Sequence, residues 1–145
     1  MMKKLMMVLA IAVSGIMLYG CANIQSAGTS SHLMQKWRLQ SIQGFSDAEV
    51  LQTKGFIDFT GAAKEHKAFS GVGCNRIFFE YRLSGNNLSF TNIGRTKMMC
   101  ENIAMEEAYI ALLEKVTSYQ TKGHYLMLKD AGGNVLIKAV DLNWQ

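Results

Sequence analysis

Proline is absent from this 145-residue chain, cysteine occurs only three times, and no segment repeats. Without proline, its turns must rest on glycine, asparagine and aspartate. The longest apolar stretch, Leu5–Leu18, has 14 residues. A bilayer-spanning helix needs roughly 20, so this stretch is too short to cross comfortably. No G-x-S-x-G elbow, phosphate-binding loop or dinucleotide glycine pattern is present, which removes the signatures of common hydrolases and nucleotide enzymes. His32, His66 and His124 lie too far apart to share a metal-ligand spacing, so they read as solvated loop residues and no metal is expected. Glu106 and Glu107 are adjacent on a predicted helix. They point about 100° apart and do not converge as an acid/base pair. Tyr81, Tyr109, Tyr119 and Tyr125 read as core mass or strand surface. Basic and acidic residues are interspersed, so no nucleic-acid footprint appears. Neither an enzyme nor a cofactor is announced.

What the chain does have begins at its N-terminus. Lys3 and Lys4 form a positive n-region, the apolar stretch follows, and Leu18-Tyr19-Gly20-Cys21 closes it. This is the layout of a secretory signal. The closing segment resembles the bacterial lipobox, in which a small residue precedes a cysteine that is acylated and becomes residue one after cleavage. Tyr19 departs from the small residue usual at its position. The resemblance implies a lipoprotein signal peptide over residues 1–20, lipidation at Cys21 and a flexible tether over residues 21–35. An ordinary signal peptide or a short uncleaved anchor are the alternatives. Ala22, rather than Asp, follows the cysteine; by the same sorting pattern the protein sits on the outer membrane and faces the periplasm. Each buried acyl methylene contributes about 0.8 kcal/mol, so more than one chain holds a protein almost permanently.

Removing residues 1–20 from 145 leaves 125, enough for one domain with a single core. Losing Lys3 and Lys4 leaves 13 basic against 11 acidic residues, a net charge of +2. From Lys36 onward period two dominates. Trp37, Leu39 and Ser41 alternate on one face, Ile57 and Phe59 mark a second strand, and Ala68 to Val72 a third. Ile77, Phe79, Tyr81 and Leu83 form the clearest alternation, repeated by Leu88 and Phe90 after Gly85-Asn86-Asn87. Residues 117–122, 125–129 and 134–141 complete about eight strands, joined by connections short enough for antiparallel hairpins. One segment breaks the period. Met105, Ala108, Tyr109, Leu112 and Val116 fall at helical spacing, with Asn102 as a cap and the two glutamates in an early turn, where the helix dipole favours them. The expected fold is mostly β (α+β): a strongly curved, barrel-like antiparallel sheet with one amphipathic helix packed on it.

Trp37-Arg38-Leu39, Gly71-Val72-Gly73-Cys74-Asn75-Arg76 and Thr96-Lys97-Met98-Met99-Cys100 remain to be explained. Together they resemble the META domain, as found in the HslJ family of bacterial heat-shock-associated lipoproteins. The likeness spans about residues 37–140 of a domain drawn as 36–145. It implies an antiparallel β-fold with a packed helix and no established catalytic mechanism. Some members are linked to the heat-shock response and novobiocin resistance, and the domain also occurs in a parasite virulence-associated protein. Read bottom-up, the motif is a tight corner. Gly71 and Gly73 bracket a chain reversal, where glycine permits backbone angles others resist, Asn75 tolerates left-handed geometry and can bond its own backbone, and Thr96 bonds the turn or starts a cap. Once Cys21 is acylated, Cys74 and Cys100 remain. In an oxidising compartment they are candidates for a disulfide, worth roughly 3–4 kcal/mol in the chain-entropy account. Two buried free thiols are the alternative; a redox pair is disfavoured because no C-x-x-C spacing exists.

The functional expectation is a non-catalytic, lipid-anchored periplasmic binding or scaffold domain supporting envelope stress tolerance. It is expected to be a monomer whose partner is an envelope protein or lipid. A second expectation is a carrier, or pilotin-like chaperone, enclosing an acyl chain or a hydrophobic tail.

Overall fold

Alternating apolar side chains need a curved sheet to bury one face of every strand, and a closed ring does so without leaving an edge. The computed structural model describes residues 32–100 and 103–144. Its strands are β1 (Lys36–Ile42), β2 (Phe56–Ala62), β3 (Lys67–Gly71), β4 (Arg76–Ser84), β5 (Asn87–Arg95), β6 (Ser118–Lys122), β7 (Tyr125–Lys129) and β8 (Val135–Asp141). They form a closed antiparallel barrel in sequence order, with β8 pairing back onto β1. The barrel-like sheet expected from period two is therefore present, with eight strands.

The interior is filled by the chain's own side chains. Trp37, Leu39, Ile57, Phe59, Phe79 and Tyr81 are all buried. Phe59 meets Tyr81 edge-on at 5.5 Å and Phe79 meets Phe90 edge-on at 4.8 Å, the arrangement the ring quadrupoles favour. Leu83 is only partly buried, packed against this core. The β4–β5 and β6–β7 hairpins turn on Gly85 (φ +58°) and Gly123 (φ +57°), each a two-residue loop opened by a left-handed glycine.

The ring has one thin seam. β5 and β6 are in register only at Asn87 and Ser118, where backbone bonds run from Leu88 N–H to Thr117 O (3.1 Å) and Tyr119 N–H to Asn86 O (3.0 Å). Helix α2 (Ala104–Leu113) connects these two strands and buries Tyr109, Leu112 and Leu113 in the core. A second, shorter helix, α1 (Asp47–Gln52), follows β1 and was not expected. Its signal is a capping box: Ser46 Oγ accepts from Glu49 N–H, and the Glu49 carboxylate accepts from Ser46 N–H at 2.9 Å. Among the described residues no helix is long and apolar enough to cross a membrane.

Four expectations need correction. Ser41 does not continue the inward face of β1: a bulge between Leu39 and Ser41 shifts the register, so Ile42 points inward and is buried. The tether does not extend to residue 35, because Leu33 is fully buried and its carbonyl accepts from Trp37 Nε1 at 3.1 Å. The buried face of α2 includes Glu106 and Leu113, while Met105 and Ala108 are only half-buried. Ile103, with no side-chain cap, occupies the N-cap position expected for Asn102, which itself lies outside the described residues.

Candidate functional site

The strands alternate in direction, so the end of β3, the start of β4 and the end of β5 meet at one end of the barrel, beside the start of α2. The family-like motif residues collect there. Cys74 and Cys100 are joined by a disulfide, with Cα atoms 6.2 Å apart. It ties the β3–β4 turn to the segment that leads into α2. Cys21 lies outside the described residues.

Asn75 is the hub of this end, and it is buried. Its Oδ1 accepts from Thr96 Oγ1 (2.9 Å) and from Met98 N–H (2.8 Å). Its Nδ2 donates to Glu106 Oε1 (2.9 Å), and its backbone N–H donates to Glu106 Oε2 (3.0 Å). Thr96 Oγ1 also accepts from Arg76 N–H at 3.1 Å, and Thr96 N–H donates to Arg76 O at 3.0 Å. One amide thus fastens two loops and a helix start. It reaches partners 21, 23 and 31 residues away.

Among the described residues Glu106 is the buried charge, only 2% exposed. It stands in the first turn of α2, where unpaired backbone N–H groups favour a carboxylate. Arg95, from the last position of β5, donates Nη1 to Glu106 Oε1 at 3.0 Å and Nη2 to Glu107 Oε1 at 3.3 Å. The adjacent glutamates diverge on the helix, as their spacing requires, and a single guanidinium reaches both. Three donors, one of them the Arg95 countercharge, commit the Glu106 carboxylate, which is what a buried charge requires. The arrangement clamps the loops to the helix.

Gly71 acts through space rather than through backbone angle. Neither Gly71 nor Gly73 is left-handed, and neither is Asn75. A Cβ at Gly71 would stand 3.1 Å from Phe56 Cε1, so the residue lets that ring cross the strand. A Cβ at Gly73 would meet nothing nearer than Glu106 Oε2 at 3.9 Å. The expectation of strained corner residues is replaced by one of close packing and a hydrogen-bond hub.

Three further hydroxyls are buried. Ser70 Oγ donates to Phe56 O (2.6 Å) and lies 2.8 Å from Tyr109 Oη. Since the serine proton is used on the carbonyl, the tyrosine donates to the serine oxygen. Burial pushes the Tyr109 phenol far above its ordinary range, and the Ser70 contact partly opposes it. Tyr119 Oη is buried with no hydrogen-bond partner among the described residues. His66 is exposed and meets Tyr81 edge-on, and His124 stacks on Trp144. No three His, Cys, Asp or Glu side chains among the described residues are placed to hold a metal.

Comparison with known proteins agrees with this geometry. The META domain pattern matches residues 31–141. No curated protein matches the chain. Among solved structures it is similar to a protein from Burkholderia xenovorans studied by NMR, with 21% identity and a TM-score of 0.58 over 79% of this chain and 88% of that one. It is also similar to a DUF4847 family protein from Bacteroides vulgatus, with 12% identity and a TM-score of 0.55 over 77% and 95% of the two chains. At those identities the likeness is one of fold.

Proposed function

We propose, from the premise that this chain belongs to the META domain family, that it is a lipid-anchored, non-catalytic binding module of the bacterial periplasm. It sits on the outer membrane through acyl chains on Cys21 and supports the envelope under stress, as the HslJ-like resemblance implies. The observation that carries this reading is the filled barrel: Trp37, Phe59, Phe79, Tyr81 and Phe90 occupy the space a carried ligand would need. Recognition then falls to the outer surface. The disulfide supports an oxidising compartment, since such bridges persist outside the cytoplasm. Tethering raises the local concentration of such a surface without adding contacts.

The anchor is tested by metabolic palmitate labelling, with Cys21→Ser as control. An unlabelled chain recovered in the soluble fraction sinks the membrane attachment. Binding is tested by photocrosslinkers placed at Gly73, at Arg76 and in the tether, read by mass spectrometry in cells. A reproducible envelope partner is expected. Native mass spectrometry that finds lipid retained stoichiometrically inside the barrel would replace this reading with the carrier.

A further inference from the structure

The end of the barrel opposite the clamp gathers β1's first residue, the β6–β7 turn and the segment after β8. Their backbones are knitted together. Leu142 N–H donates to Lys36 O (3.2 Å), Asp141 N–H to His124 O (2.8 Å) and Trp144 N–H to Asp141 O (3.1 Å). The Trp144 indole stacks flat on His124, with centroids 3.6 Å apart and planes at 14°. Tyr125 lies beside it on β7, with Lys138 Nζ 4.4 Å from its ring centre. Leu142, Tyr125 and Trp144 are all exposed, Trp144 at 48%. Lys122, His124, Tyr125, Met127 and Lys138 line an open, mainly apolar groove of about 560 Å³. The acidic groups here are Asp141, whose Oδ1 accepts from Asn143 N–H at 2.8 Å, and Asp58, across from Lys36 on β2.

We propose that this end docks flat on an anionic phospholipid bilayer, with Trp144, Tyr125 and Leu142 at headgroup depth and Lys122 and Lys138 facing lipid phosphates. Two arguments select the bilayer as occupant. Indole and phenol rings flanked by lysines are the side chains that favour a membrane–water interface, and lysines close to an anionic surface are attracted to it. The second is connectivity. The 31 residues that precede the described fold, with the apolar run Leu5–Leu18 and Cys21, join it next to Lys36, at this same end. Whatever holds that segment in a membrane brings this face toward it. Location near a bilayer rests on the attachment proposed above; the docking face is a separate claim, about orientation.

The chain's two tryptophans make the test direct, because Trp37 is 1% exposed and Trp144 is not. Full-length protein from membranes is reconstituted into phosphatidylcholine vesicles with or without phosphatidylglycerol, using brominated acyl chains as quencher. Intact mass and vesicle flotation report the anchor. Emission that Trp144→Phe removes should fall by roughly half in the anionic vesicles, as expected for an interfacial indole. It should recover at high salt or in the double variant Lys122→Gln/Lys138→Gln. An acylated chain that floats with no quenching of Trp144 overturns the docking face and leaves the anchor standing. Quenching by a chain that carries no acyl mass removes the anchor and keeps the face. Trp144 emission that instead changes with protein concentration in lipid-free solution assigns the patch to a second copy, which also overturns the proposal.

Discussion

Where β3 turns into β4, Asn75 and Arg95 both bind the buried Glu106 carboxylate in a network closed by a disulfide. Where β6 turns into β7, at the other end, Lys122, Lys138 and Trp144 face outward. Both ends contain charged residues and a glycine. The difference lies in what each charge faces. A carboxylate out of water must be answered by donors fixed in place, so the clamp end becomes rigid and specific. A lysine in water needs no fixed partner, so the opposite end remains free to meet something else. Fixed pairing is therefore concentrated at one end, and the other is left exposed as the proposed docking face, so substitutions should separate the two.

The largest expected effect is at Glu106. Glu106→Ala leaves the Asn75 amide without an acceptor and Arg95 short of a partner, so stability should fall by about 3–5 kcal/mol in urea denaturation. Glu107 is more than half exposed and shares the same arginine; Glu107→Gln should cost about 1 kcal/mol or less. Equal losses in the two variants would erase the clamp as described. Reduction of the Cys74–Cys100 bridge comes next, at about 3–4 kcal/mol. Because both changes loosen the same turn, the double perturbation should cost less than the two separate losses together.

How much of this contrast the sequence revealed depends on range. Period two located all eight strands, since each inward residue sits two positions from the next whatever the remainder of the chain does. The Leu39–Ser41 bulge was hidden, because a register shift is set by the partner strand. Helix α1 is marked locally by Ser46-x-x-Glu49, a capping box ahead of the segment. The clamp was not available locally at all. Asn75 looked like a turn residue, and its partners lie 21 to 31 residues away. Glu106 looked like a dipole-favoured surface residue until Arg95 and Asn75 are seen to enclose it. At the other end, Tyr125 shares its strand alternation with core residues, so only the closed ring shows which side of the sheet it faces.

Tyr109 offers a pH test between the two ends. Its phenol is buried and its folded pKa lies above the unfolded value of 10.0. The stability it contributes is whole below that unfolded value. It is lost as pH rises beyond, because the unfolded state then gives up a proton that the folded state keeps, at about 1.4 kcal/mol per pH unit. Burial also raises Tyr81 and Tyr119, so the alkaline slope belongs to several groups. Tyr109→Phe should reduce that slope by up to one proton between pH 10 and 11.5, as read from denaturation midpoints. An unchanged slope would mean that Tyr109 ionises without unfolding. Smaller still is the cap of α1: Ser46→Ala should cost about 1 kcal/mol, measured in the same way.

The smallest stability effect should come from the end proposed to meet the bilayer, and its smallness is what the comparison requires. Trp144 is half exposed, stacked on an exposed histidine, and its neighbours Lys122 and Lys138 lie at the rim of an open groove. Removing such side chains deletes little buried area and leaves no buried polar group unpaired, so Trp144→Ala and Lys122→Gln should each change stability by less than about 0.5 kcal/mol. Lys138 sits over the Tyr125 ring, a cation–π contact worth about 0.5–1 kcal/mol at an exposed site. Lys138→Gln is therefore the variant best placed to exceed that limit. A loss above about 1.5 kcal/mol at Trp144, approaching the cost of a core truncation, would show that the segment after β8 holds the barrel shut. The two ends would then share the structural task, and the exposed indole would no longer stand apart as a surface reserved for binding.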